Sequence, residues 1–249
     1  MIWEACNGPD QITSVEGRLL RLVESQEQIA TLGYVDTLEE QALLEDLLEE
    51  AKPPYPEDWS DYHYLLKTPF RYPPLQWGSR FGSLHEQSIF YGGSSIDSTL
   101  AESAYYRWVF WFSIDAPPVK DKIRTEHTLF SVGYKTRKGI RLQIFPFDQY
   151  ADELTHPQNY SATQTLGSAM RTAGVEAFEY LSARNPKQGM CVGLFSPQAF
   201  TQKRPEETSQ WLCEVSATEV SFKQVGSKPI TKYLISDFLF QGRLPLPPA

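Results

Sequence analysis

The sequence predicts a domain of mixed α/β or α+β class, here assigned α+β, built round one twisted sheet or a pair of sheets and carrying a helical extension at its N-terminus. Three observations lead there. Short apolar or alternating runs that read as strands are interleaved with only a few helical periodicities. With 41% hydrophobic and 22% charged residues, the 249-residue chain can bury a full core. The first two helical segments carry their own start signals and lie ahead of Pro53. The expected division is a helical extension over residues 1–56 and a main domain over 57–249.

In chain order, Thr13 to Glu16 and Thr37 to Glu40 have the Thr-x-x-Glu form of a capping box, whose two side chains satisfy backbone donors reciprocally. The first helix would carry Val15, Leu19, Leu22 and Val23. The second carries Leu43, Leu44, Leu47 and Leu48 and ends before Pro53 and Pro54. Its acidic face (Glu39, Glu40, Glu45, Asp46, Glu49, Glu50) reads as solvated surface. Between Lys52 and Trp77, Pro53, Pro54, Pro56, Pro69, Pro73 and Pro74 exclude a continuous helix and predict an extended approach to the core.

Ser88 to Tyr91 is a strand candidate ended by Gly92 and Gly93, followed by a helix from Thr99 to Phe112 capped by Asp97 or Ser98. Thr128 to Tyr134 and Arg141 to Phe147 read as strands separated by a turn at Lys135 to Gly139. A helix over Ser161 to Ala173 stops at Gly174. Five further strands follow: Val175 to Tyr180, Met190 to Phe195, Trp211 to Val215, Val220 to Val225 and Ile230 to Leu239.

The formal net charge of −8 repels phosphate backbones and anionic membranes, which argues against nucleic acid or a lipid surface as a direct partner. A small anion still feels local charge, because screening acts over roughly 8 Å at physiological salt. Cys6, Cys191 and Cys213 are odd in number and lack C-x-x-C spacing, which disfavours a disulfide framework and a structural zinc site. No run approaches the roughly 20 apolar residues of a membrane span, and no basic-then-apolar leader is present, so a reducing, cytoplasmic address is expected. P-loop, dinucleotide-fold, zincin and nucleophile-elbow motifs are all missing. His63, His85, His127 and His156 lack ligand spacing, so no metal is expected.

The unusual chemistry lies in one ordered series: Arg71 and Tyr72; Gly78-Ser79-Arg80-Phe81; Tyr91; Thr99-Leu100-Ala101-Glu102; and Tyr180-Leu181-Ser182-Ala183-Arg184 ahead of an apolar run. A strand-turn-helix unit would let Tyr91 and Glu102 face one cleft. From about Arg71 to Phe200 the series resembles the RES domain family, whose pattern is an early arginine, a G-x-R-[WF] element, a tyrosine, a T-A-x-x-E helix start and a late Y-x-S-x-R. Phe81 stands where tryptophan is common, the asparagine that usually follows is missing, and Leu100 is inserted between threonine and alanine.

The resemblance implies a fold related to ADP-ribosyltransferases, NAD as substrate, and a place as the toxin half of a bacterial toxin–antitoxin pair opposite an Xre-like helix-turn-helix antitoxin. Residue chemistry agrees with that substrate. Arginine forks at Arg71 and Arg80 suit a pyrophosphate, and Tyr91 can stack on a cationic nicotinamide ring. A fixed carboxylate, assigned to Glu102, stabilises the oxocarbenium-like state of N-glycosidic cleavage. Ser182 would hold the ribose or the glutamate, and Tyr72 and Arg184 would line the same site. The expected activity is NAD cleavage, with water or phosphate as acceptor. The alternatives are ADP-ribosyl transfer to a protein target and, from another class, a non-catalytic interaction module.

Overall fold

A computed structural model describes residues 1–25, 34–55, 59–115 and 120–247. Within them eight strands form one sheet: β1 (Thr13–Glu24), β2 (Phe90–Gly93), β3 (Ile123–Arg141), β4 (Ala177–Leu181), β5 (Met190–Leu194), β6 (Glu207–Val215), β7 (Glu219–Gln224) and β8 (Thr231–Leu234). Their order is β1-β2-β5-β4-β3-β6-β7-β8, and β1 also pairs with β3. The strands β1, β2, β5, β4 and β3 therefore close into a ring, and the others extend the sheet from the first half of β3. Only β3 and β4 run parallel, and the crossover between them carries helices α5 (Ala151–Leu154) and α6 (Ser161–Thr172). The remaining helices are α1 (Ile2–Ala5), α2 (Leu38–Glu50), α3 (Tyr64–Arg71) and α4 (Ile96–Phe112).

The mixed sheet with helices bears out the α+β class, but the N-terminal half of the expected helical extension is corrected. Thr13 to Glu24 is a strand, paired along its length with β3 from Thr13 opposite Gly139 to Glu24 opposite His127. Over Leu19 to Val23 both its faces are covered, while Ser14, Glu16 and Arg18 stay exposed. Val15, Leu19 and Val23 pack into one apolar cluster, whereas Leu20 and Leu22 pack against another. Burial on both sides erases the period of two, and the surviving spacing of Val15, Leu19, Leu22 and Val23 imitates a helix. The expected boundary at 56/57, and Pro56 itself, lie outside the described residues.

Other boundaries shift for similar reasons. The expected turn at Lys135 to Gly139 is continuous strand, because β1 supplies hydrogen-bonding partners as far as Gly139. Arg141 to Phe147 is correspondingly not a strand beyond Arg141; a turn and a short 3-10 segment follow, with Leu142 and Phe147 buried. The proline-rich stretch contains α3, flanked by Pro53–Pro54 and Pro73–Pro74, with Pro69 in its last turn. Ser95, rather than Asp97 or Ser98, caps α4 by accepting the Ser98 amide at 3.1 Å. Thr37 caps α2 as expected, accepting from the Glu40 amide at 3.1 Å. After Leu234 the expected last strand gives way to a 3-10 turn whose Phe238 packs 5.0 Å from Trp108 of α4.

Candidate active site

A cleft of about 430 Å³ opens between the closed ring and α4. Among the residues lining it are Arg21 of β1, Arg80, Tyr91 of β2, Glu102 of α4, Tyr180 of β4 and Arg184. A volume of this order suits a small-molecule ligand.

Glu102 sits on the second turn of α4, and its carboxylate is fixed from across the sheet. Ser182, immediately after β4, donates its hydroxyl proton to Glu102 Oε1. Ser182 Oγ accepts in turn from the backbone amides of Arg184 (3.0 Å) and Asn185 (2.8 Å), so the single hydroxyl proton has one destination. Of the two roles expected for Ser182, these bonds fit holding the glutamate. Burial, reinforced by the negative charge of Glu102, raises the neighbouring Cys191 thiol well above its ordinary value, so it stays protonated and apolar in character. All three cysteines are free and buried.

Arg80 is held on a short loop tied down from three sides. Gly78 adopts φ +71°, a conformation that favours glycine. Gln164 of α6 donates to the carbonyls of Trp77 and Ser79, both at 3.0 Å. The Tyr91 hydroxyl lies 2.9 Å from Ser79 Oγ and accepts the Phe81 amide at 3.1 Å. Burial pushes that phenol up to about 12. α6 approaches so closely that a Cβ at Gly167 would lie 1.7 Å from the Phe81 carbonyl oxygen. So placed, Arg80 donates Nη1 to the His156 carbonyl at 2.9 Å and lies 4.7 Å over the Tyr160 ring. Arg184 donates Nη2 to the Tyr160 hydroxyl at 2.7 Å and lies 3.7 Å over the Tyr105 ring.

Two sequence-based expectations are not met. Arg71 does not line the cleft: its guanidinium donates Nη1 to Glu49 Oε1 at 2.6 Å and Nε to the Pro53 carbonyl, and lies 4.1 Å over Tyr55. It clamps the segment after α2 to the end of α3. Tyr72 is exposed and lines a smaller adjoining hollow of about 220 Å³ that shares Arg21, Glu24 and Pro69 with the cleft.

Sequence reading missed Arg21. It donates Nη1 to the Tyr91 carbonyl at 2.7 Å and lies 5.0 Å over Phe90, and burial pulls its guanidinium down to about 10. The available signal was a single cation inside the apolar run Leu19-Leu20-Arg21-Leu22-Val23.

Three cleft arginines keep a buried nitrogen without a partner: Arg21 Nε, Arg80 Nη2 and Arg184 Nη1. Among the described residues none of the three forms an ion pair with a carboxylate. Arg107, also on the cleft wall, pairs with Glu24 at 3.3 Å. On a chain of net charge −8, the hollow is thus locally cationic around one fixed carboxylate. Buried guanidinium donors left open fit a ligand with phosphate oxygens. Among the described residues no cluster of three or more His, Cys, Asp or Glu could hold a metal ion, and no helix is long and apolar enough to cross a membrane.

No curated protein matches the chain. A family model described as RES domain matches residues 56–216, more than half of the sequence and a stretch that includes Arg80, Tyr91, Glu102, Ser182 and Arg184 but not Arg21. With the ordered series now gathered round one cleft, apart from Arg71 and Tyr72, the chain belongs to the RES domain family.

Proposed function

We propose that this RES domain is an NAD-cleaving enzyme, with an ADP-ribosyltransferase-like site, acting as the toxin of a toxin–antitoxin pair. The observation that carries the reading is the Glu102 carboxylate, fixed by Ser182 in a cleft whose arginines have donors to spare.

The diphosphate binds Arg80 and Arg184, with Arg21 in the role that sequence reading gave to Arg71. The Tyr91 ring flanks the flat cationic nicotinamide. The ribose–nitrogen bond then breaks with its electron pair going to the ring, which leaves as neutral nicotinamide. Positive charge develops on the ribose carbon, and Glu102 stabilises it without reorganising, because Ser182 already holds it. Water adds to that carbon and loses a proton to give ADP-ribose; phosphate adding instead gives the 1-phosphate. The fitting protein partner is an Xre-like helix-turn-helix antitoxin that covers the cleft.

Nicotinamide release from NAD, measured with and without phosphate, tests the reading. Wild type should release it, and Glu102→Gln, which keeps an oxygen to accept from Ser182, should lower the rate about 10²- to 10³-fold with an unchanged melting temperature. Unaltered release in the Gln variant would overturn the assignment.

A further inference from the structure

Arg80 and Arg184 reach the cleft from loops far apart in sequence, yet both rest on one side chain. Tyr160 is only 3% exposed and immediately precedes α6. Its ring lies beneath the Arg80 guanidinium at 4.7 Å, and its hydroxyl accepts from Arg184 Nη2 at 2.7 Å. The remaining partners of the two arginines are neutral. They are the carbonyls of Leu154 and His156 for Arg80, and for Arg184 the ring of Tyr105, whose hydroxyl donates to the Pro245 carbonyl at 2.6 Å.

An arginine that must receive a ligand anion needs to be held by something that does not neutralise it. A carboxylate would fix the fork but would compete for the same N–H groups and cancel the charge, as Glu49 does for Arg71 outside the cleft. A phenol avoids both. Its ring face attracts a cation, and its oxygen accepts one N–H while adding no charge. Among the donors this leaves unpaired is one buried nitrogen on each guanidinium, Arg80 Nη2 and Arg184 Nη1.

We propose that Tyr160 is a positioning residue that sets Arg80 and Arg184 side by side as a two-pronged receptor for the diphosphate of a dinucleotide. This rests on the NAD reading given above. Tyr160 acts through the two guanidiniums, so its effect falls on binding and leaves the bond-breaking step at Glu102 alone.

Two variants separate its contacts. Tyr160→Phe keeps the ring under Arg80 and removes the acceptor for Arg184; Tyr160→Leu removes both. ADP-ribose binding is measured by calorimetry, NAD cleavage by steady-state kinetics, and folding by thermal melting. The Phe variant should raise the Kd for ADP-ribose and the KM for NAD about fivefold, and the Leu variant more. In both, kcat should stay within about twofold of wild type. Unchanged Kd and KM in the Phe variant, or a fall in kcat at constant KM, would overturn the proposal; being nearly isosteric, that variant carries the test even where the Leu variant does not fold. Wild-type protein that neither binds ADP-ribose nor releases nicotinamide would instead sink the NAD reading, and this inference with it. Wild-type binding with unaltered variants would sink the role of Tyr160 alone.

Discussion

Replacing Ser182 by alanine removes one oxygen that makes three hydrogen bonds, and the structure permits the cost to be worked out. Ser182 is 1% exposed, and its hydroxyl donates to Glu102 and accepts the amides of Arg184 and Asn185, each of those residues being 5% exposed. Loss of the oxygen strands two amide donors in a nearly sealed turn, at about 1–3 kcal/mol each. Partial access of water to the vacated space brings the expected total to about 3 kcal/mol. For a chain of this length each kcal/mol moves the melting temperature by about 2–4 °C, so a fall of about 6–12 °C is expected. The same change frees the Glu102 carboxylate to rotate, so nicotinamide release at a temperature where the variant is folded should drop about 10- to 100-fold. Scanning calorimetry and a nicotinamide-release assay check the two numbers separately. An unchanged melting temperature would show that the two amides do not depend on this oxygen. Full activity in the folded variant would show that Glu102 does not need to be held.

Arg21→Met should leave the melting temperature level or raise it, because a buried guanidinium without a counter-ion is costly to desolvate, while the KM for NAD rises about tenfold; melting and kinetics together check this. Arg71→Ala should do the reverse, lowering stability by about 1–3 kcal/mol in chemical denaturation through loss of Glu49 and Pro53, with KM for NAD unaltered. Burial, and next the charge of Arg107, pull His127 down to about 4. The unfolded chain therefore takes up this proton at a higher pH than the native protein, near 6.5. Stability from a neutral His127 is complete above that pH and is lost as the pH falls toward 4, by about 2 kcal/mol at pH 5. Urea unfolding at pH 7 and pH 5 should show this loss in wild type and a smaller one in His127→Gln.

Elements whose pattern is set locally were legible in the sequence. Thr37 caps α2, Gly174 follows the end of α6, and the apolar run at Met190 to Leu194 is β5, because cap chemistry and short apolar runs need no distant partner. β1 was illegible for the opposite reason. Its strand character comes from β3, more than a hundred residues away, and the covering of both faces over its second half hides the alternation. The site divides along the same line. Tyr91 and Glu102 sit on, and Ser182 immediately after, locally readable elements, and the fold brings them to one cleft with Arg80, whose loop is held by the distant Gln164. Arg71, a cation flanked by prolines and aromatics, reads as suited to a ligand until its contact with Glu49 is seen, whereas Arg21 lies hidden in an apolar run whose strand partner is distant.

The closed ring bears on how the molecule comes into being during synthesis. β1 leaves the ribosome first but finds β3 only after more than a hundred further residues, and β2 waits about as long for β5. Glu102 meets Ser182 across 80 positions, and Tyr105 waits 140 for Pro245. Pairings this distant are slow to close, so a growing chain holds no finished cleft until these later partners have been translated. A nascent or prematurely terminated copy that lacks β5 and Ser182 therefore carries Glu102 unheld and an open ring in place of the cleft.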